Sequence, residues 1–143
     1  MGHYLNPGTG LFEMSLRSEI YIDKSRLIEQ TNRYIKTQQR YLCVSRPRRF
    51  GKSMALDMLA AYYDRMEDTQ NIFDKLEICQ SQSYDQHLNQ YDVLRINMQE
   101  FLSASSNVDE MLKLLQARLI KELKERYTEI VEGDNLVFAM QDI

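Results

Sequence analysis

No apolar run in this sequence approaches the ~20 residues that a helix needs to cross a bilayer, which excludes a membrane-spanning helix. The chain opens Met1-Gly2-His3-Tyr4-Leu5-Asn6-Pro7, without the charged and apolar regions of a signal peptide. Asn6 also stands where N-myristoylation wants Ser or Thr. Charge of one sign is not in excess: 18 Lys and Arg face 21 Asp and Glu, a net charge of −3. Bulk charge therefore gives no reason to expect binding to nucleic acid or to a membrane surface. Cysteine is scarce. Cys43 and Cys79 have no metal-ligand spacing, and Cys43, inside an apolar run, is expected to be a buried free thiol in a reducing cytoplasm. There is no internal repeat and no low-complexity tract.

What is present suits one modest globular domain: 143 residues, 43% hydrophobic and 27% charged. Asn6 to Gly10 reads as a turn or loose lead-in. Ser25 to Ile35 fits a helix with Leu27, Ile28, Thr31 and Ile35 on one face. Tyr41-Leu42-Cys43-Val44 is short and apolar, the pattern of a buried strand, and Pro47 cannot continue it. From Lys52 the pattern is helical, with a broad apolar surface that includes Met54, Leu56, Met58, Tyr62 and Tyr63. Ile72 to Leu76 reads as a helical turn, Ser81 to Gln90 as a polar loop, and Val93 to Met98 as a second strand. Val108 to Val131 is the clearest helix. Asn107 can cap it, Glu110 completes a capping box, Glu122 and Arg126 stand four apart, and Gly133 is the natural stop.

Strand, basic loop, helix, strand, helix is the opening of a parallel α/β sheet with helical crossovers. Between the first strand and the helix stands Arg46-Pro47-Arg48-Arg49-Phe50-Gly51-Lys52-Ser53. That is the context of a phosphate-binding loop. Gly51 would let backbone amides approach phosphates with no Cβ in the way. The helix N-terminus, through Met54, offers unpaired N–H groups and a positive dipole end. Lys52 would reach the β- and γ-phosphates, and the Ser53 hydroxyl would be a ligand of nucleotide-bound Mg²⁺. ATP with Mg²⁺ is the expected ligand. One departure is plain: Arg46 occupies the position at which the usual motif has its first glycine.

The octet Arg46 to Ser53 resembles the glycine-poor Walker A loop of a bacterial AAA-ATPase-like family. Ile20-Tyr21-Ile22-Asp23-Lys24-Ser25 is similar to that family's upstream Tyr-Val-Asp-Lys-Thr box. Leu56 to Leu59 and Ile72 to Leu76 resemble its next two segments, so the likeness runs from about Leu11 to about Met98. The resemblance implies the N-terminal part of a P-loop NTPase of the additional-strand type, an α/β fold whose parallel sheet is incomplete here. It implies a lead-in over 1–19, an adenine-side box and helix over 20–39, a P-loop unit over 40–66, and a second strand and helix over 91–132. It also makes Tyr21, Asp23 and Lys24 candidate contacts on the base side of the nucleotide, although Asp23 equally suits a cap for the helix that begins near Ser25. Fuller members carry a C-terminal domain of the PD-(D/E)XK nuclease type, of which this sequence has no trace, and the resemblance would bring in nucleic acid as a partner through such a parent protein.

A hydrolase of this class needs an apolar strand ending in Asp-Glu, to hold the metal and orient water. No such run occurs. Asn97 and Glu100 do not fit, and Asp142 follows a segment better read as the start of a helix. The acid-ending strand is expected just beyond Ile143, which makes turnover by this chain alone an expected absence. The alternative reading is a binding module in which Arg46, Arg48, Arg49 and Lys52 grip a nucleic-acid backbone; a further one is a sensor that binds nucleotide without turning it over. His3 and His87 are assigned to surface loops, and Tyr62, Tyr63, Phe73 and Tyr127 to the core. A half-built sheet with an open edge would invite self-association.

Overall fold

The computed structural model describes residues 2–49, 51–129 and 133–143. Among them the only regular elements are helices: α1 (Gly10–Leu16), α2 (Arg26–Tyr34), α3 (Lys52–Tyr63), α4 (Gln70–Phe73), a 3₁₀ turn (Glu77–Gln80), α5 (Tyr84–His87), α6 (Met98–Ser103), α7 (Val108–Arg126) and α8 (Leu136–Gln141). The chain forms two compact units, Asn6–Val93 and, separately, Gly2–Leu5 with Leu94–Ile143.

The expected parallel sheet is not there. Two isolated bridges, Leu5 with Leu94 and Asp64 with Tyr91, are the only β pairings among the described residues. The reason is the lack of neighbours. A strand exists only where its N–H and C=O groups find a ladder, and isolated short segments do not sustain one. Tyr41 to Val44 has no regular structure, and Tyr41 and Val44 are 82% and 60% exposed. Cys43 is exposed with them, so the expectation of a buried thiol fails too. In Val93 to Met98 the pairing stops early: Arg95 N–H donates to Tyr4 C=O at 2.9 Å, and Asn97 then caps α6 by accepting from Gln99 N–H at 3.2 Å. A good N-cap residue ended what alternation alone had suggested as a strand. The open-sheet-edge argument for self-association goes with the sheet.

The first unit is built around aromatic and aliphatic side chains, to which α3 contributes Met58, Ala61 and Tyr62. Phe12, Ile28, Met58, Ala61, Tyr62, Phe73 and Ile78 form one buried cluster. Phe12 stacks on Phe73 with centroids 5.4 Å apart, and Tyr62 meets the same ring edge-on. Tyr62 also donates its hydroxyl to Tyr84 C=O, so the largest buried ring is anchored at both ends. The end of α3 is fixed by backbone. Asn89 N–H donates to Tyr62 C=O at 2.8 Å and Tyr91 N–H to Tyr63 C=O at 2.9 Å. The lead-in is not loose. Asn6 is fully buried with φ 49, a left-handed value that Asn tolerates, and its side chain accepts from Val93 N–H and donates to Asp92. Residues 81–90 are not a loop throughout: α5 buries Tyr84, and His87 on it pairs with the Tyr91 hydroxyl at 2.7 Å instead of lying free.

In the second unit Asn107 caps α7, accepting from Glu110 N–H at 2.9 Å, while Glu110 reaches back to Ser106 N–H. α7 ends at Arg126, earlier than expected, and Ile130 and Val131 lie outside the described residues. Glu122 does not serve Arg126. Its carboxylate accepts from Tyr4 N–H and Leu5 N–H, the latter at 2.8 Å. Leu136 to Gln141 is a helix capped by Asn135, in line with the helical reading of that segment. Among the described residues no helix is long and apolar enough to cross a membrane.

Candidate functional site

The site grows from one residue with an unusual backbone. Gly51 is the N-cap of α3 with φ 75 and ψ 25, a left-handed conformation that glycine takes without a Cβ penalty. A helix of 12 residues follows it directly. The amides of the first turn then have no carbonyl partner inside the helix and face outward at its positive end. Lys52 and Ser53 begin that turn, both exposed, with Met54 next.

The loop before Gly51 closes on itself. Lys52 Nζ donates to Arg46 C=O at 2.6 Å, across six residues. The carbonyl of the residue that replaces the expected glycine is thus the anchor of the lysine. Arg49 also has a positive φ, 64, and so supplies part of the turn that a glycine would have made elsewhere. Arg46, Pro47, Arg48 and Arg49 are exposed, and Phe50 lies outside the described residues.

The upstream box comes to the same place. A cavity of about 370 Å³ is lined by Ile20, Tyr21 and Ile22 from the upstream segment and by Met54 and Met58 from α3. Lys24, Arg49 and Gly51 line it as well. A Cβ on Gly51 would stand 3.0 Å from Lys24 Nζ. The structure therefore brings Tyr21 and Lys24 of the box together with Arg49, Gly51 and Met54 of the loop. Tyr21 is held by edge-on packing against Phe12, centroids 6.3 Å apart, and burial raises its phenol pKa, with Asp23 adding to the effect.

Asp23 is elsewhere occupied. One carboxylate oxygen accepts from Ser25 N–H and the other from Glu77 N–H, both at 2.8 Å. Burial by itself would raise its pKa, but the bonds from Ser25 and Glu77 outweigh burial and hold it below the ordinary carboxylate value. With Ser25 Oγ accepting from Ile78 N–H, Asp23 braces the entry of α2 against the 3₁₀ turn. Ile20, Tyr21, Ile22 and Lys24 are the members of the box that line the cavity.

Among the described residues no three His, Cys, Asp or Glu side chains gather as a cage for a metal ion. The apolar wall formed by Ile20, Ile22 and Met54 was not singled out as a group in the sequence. The sequence carries one sign of it, isoleucines at the alternate positions 20 and 22 on either side of Tyr21.

The sequence model of the AAA-ATPase-like family, described as predicted AAA-ATPase, covers residues 9–142. No curated protein and no solved structure matches.

Proposed function

This chain belongs to the AAA-ATPase-like family, and from that premise we propose that it binds ATP at the loop formed by Arg46 to Ser53. The observation that carries the reading is the left-handed Gly51 at the start of α3, followed at once by Lys52 and Ser53. A phosphate needs amides that point outward, a flexible cation and no Cβ between them, and this turn provides all three. A sheet beneath the loop is not required for that contact.

In the proposed complex Lys52 leaves the Arg46 carbonyl and pairs with the β- and γ-phosphates. The exchange is favourable because a charge-assisted bond to phosphate is stronger than one to a neutral carbonyl. Ser53 would hold Mg²⁺, which when bound neutralises part of the triphosphate charge. The base would rest against Tyr21, Ile20 and Ile22, an apolar wall suited to a flat ring. Arg48 and Arg49 add charge near the outer phosphates, where the glycine replaced by Arg46 no longer shapes the loop.

The arginines give a graded prediction. Replacing both Arg48 and Arg49 by Ala is expected to weaken ATP by about 1.5–3 kcal/mol, the range for hydrogen bonds to charged groups, and AMP by much less. Titration with fluorescent analogues of the two nucleotides measures it. Equal losses would place the arginines away from the outer phosphates. Binding of single-stranded DNA that fades with salt and ignores Mg²⁺ would favour the nucleic-acid-backbone reading.

A further inference from the structure

We propose that Lys24 is a ligand of the nucleotide's phosphates, not of its base. The inference rests on the reading of Gly51 to Ser53 as the phosphate loop, and it changes the role that the upstream box suggests from sequence.

The geometry sets the direction. Lys24 is distant from the loop in sequence, yet its ammonium lies 3.0 Å from the point that a Cβ of Gly51 would fill. Gly51 is the N-cap of α3, so that point is beside the outward amides of the first turn. A base contact would belong instead with the apolar residues of the same cavity, Ile20, Ile22, Met54 and Met58, which offer surface to a ring and nothing to a charge. Lys24 and Arg49 are the cations of that cavity, and they come from two separate segments of the chain. Asp23 and Lys24 thus divide the work: Asp23 fixes the entry of α2 through Ser25 and Glu77, and Lys24 projects from that fixed point toward Gly51.

The arrangement also gives Gly51 a second reason to be glycine. Beyond its φ of 75, any side chain there would take the space next to the Lys24 ammonium. A cation held over the glycine of a phosphate loop would add to the pull of Lys52 from the opposite segment and favour ligands with a longer phosphate chain.

The test uses competition, with the full chain and a fluorescent ATP analogue as the bound probe. Tripolyphosphate has phosphates and no base, and adenosine has a base and no phosphates. Lys24→Ala is expected to weaken displacement by tripolyphosphate about tenfold or more, the worth of a charged hydrogen bond, and to leave displacement by adenosine unchanged. Lys24→Arg should restore most of the tripolyphosphate affinity, which a merely structural lysine would not do. Lys24→Gln serves in place of Ala if the alanine variant melts at a lower temperature. Lost adenosine affinity with tripolyphosphate intact would overturn the proposal in favour of a base contact. No change in either competitor, while Lys52→Ala abolishes binding, would overturn it and leave the loop reading standing. Absence of probe binding by the wild-type chain would overturn both.

Discussion

Lys52→Ala is expected to remove most of the affinity for ATP while leaving the fold intact. Lys52 is exposed, and its ammonium donates to the Arg46 carbonyl inside an exposed loop. Nothing in the buried cluster around Tyr62 depends on it. In the proposed complex it pairs with two phosphates, and removing one partner of such a pair costs on the order of 2–4 kcal/mol, or about 30- to 1,000-fold in affinity. The alanine variant should show the same helical circular dichroism and the same melting temperature as the parent. Equal affinities for ATP in parent and variant would end the reading of this loop.

Tyr62→Ala is expected to be the most destabilising single change in the first unit, by about 3–5 kcal/mol, the range for truncating a large buried ring. Tyr62 is fully buried and meets Tyr63, Phe73 and Tyr84 with its ring. Its hydroxyl donates to Tyr84 C=O and accepts from Asn32 Nδ2 at 3.3 Å. Tyr62→Phe keeps the ring and strands the buried carbonyl, so it should cost about 1–3 kcal/mol. Urea denaturation of the three proteins gives the comparison. A loss below 1 kcal/mol for the alanine variant would mean that the first unit is not organised around this cluster.

The two outcomes trace to different kinds of information in the chain. Helix α7 was legible because its signals are local: apolar periodicity, Asn107 at the cap and Glu110 three residues on. The start of α3 was legible for the same reason, since Gly51, Lys52 and Ser53 carry their conformational and chemical preferences with them. The sheet was not. Tyr41 to Val44 is apolar enough for a buried strand, but a strand is made by partners elsewhere, and these residues have none among those described. Val93 to Met98 was misread where a local signal, the Asn97 cap, opposed the alternation. The parallel-sheet fold class, read from the pattern and from the resemblance alike, therefore failed, while the conformation at Gly51 does not depend on a sheet.

Two short helices escaped for a third reason. α1 and α5 have seven and four residues, too short to show a period, and each is held by what it packs on. Phe12 and Tyr84 are their buried anchors. At the candidate site, pattern and spacing singled out Gly51, Lys52 and Ser53 as candidates. That Lys24 and Tyr21 share a cavity with Gly51 needed the structure, because nothing local to residues 20–25 fixes what they face. The capping role of Asp23 needed the structure too, since one of its two backbone partners, Glu77, is far away in sequence.

The central claim, a triphosphate seated on the start of α3, is tested most directly by amide chemical shifts in a ¹H–¹⁵N spectrum on adding Mg²⁺ and ATP. The account predicts the largest changes at Gly51, Lys52, Ser53 and Met54, with smaller ones at Tyr21 and Lys24 and none along α7. Shifts confined to α7, or a spectrum unmoved by millimolar nucleotide, would contradict it.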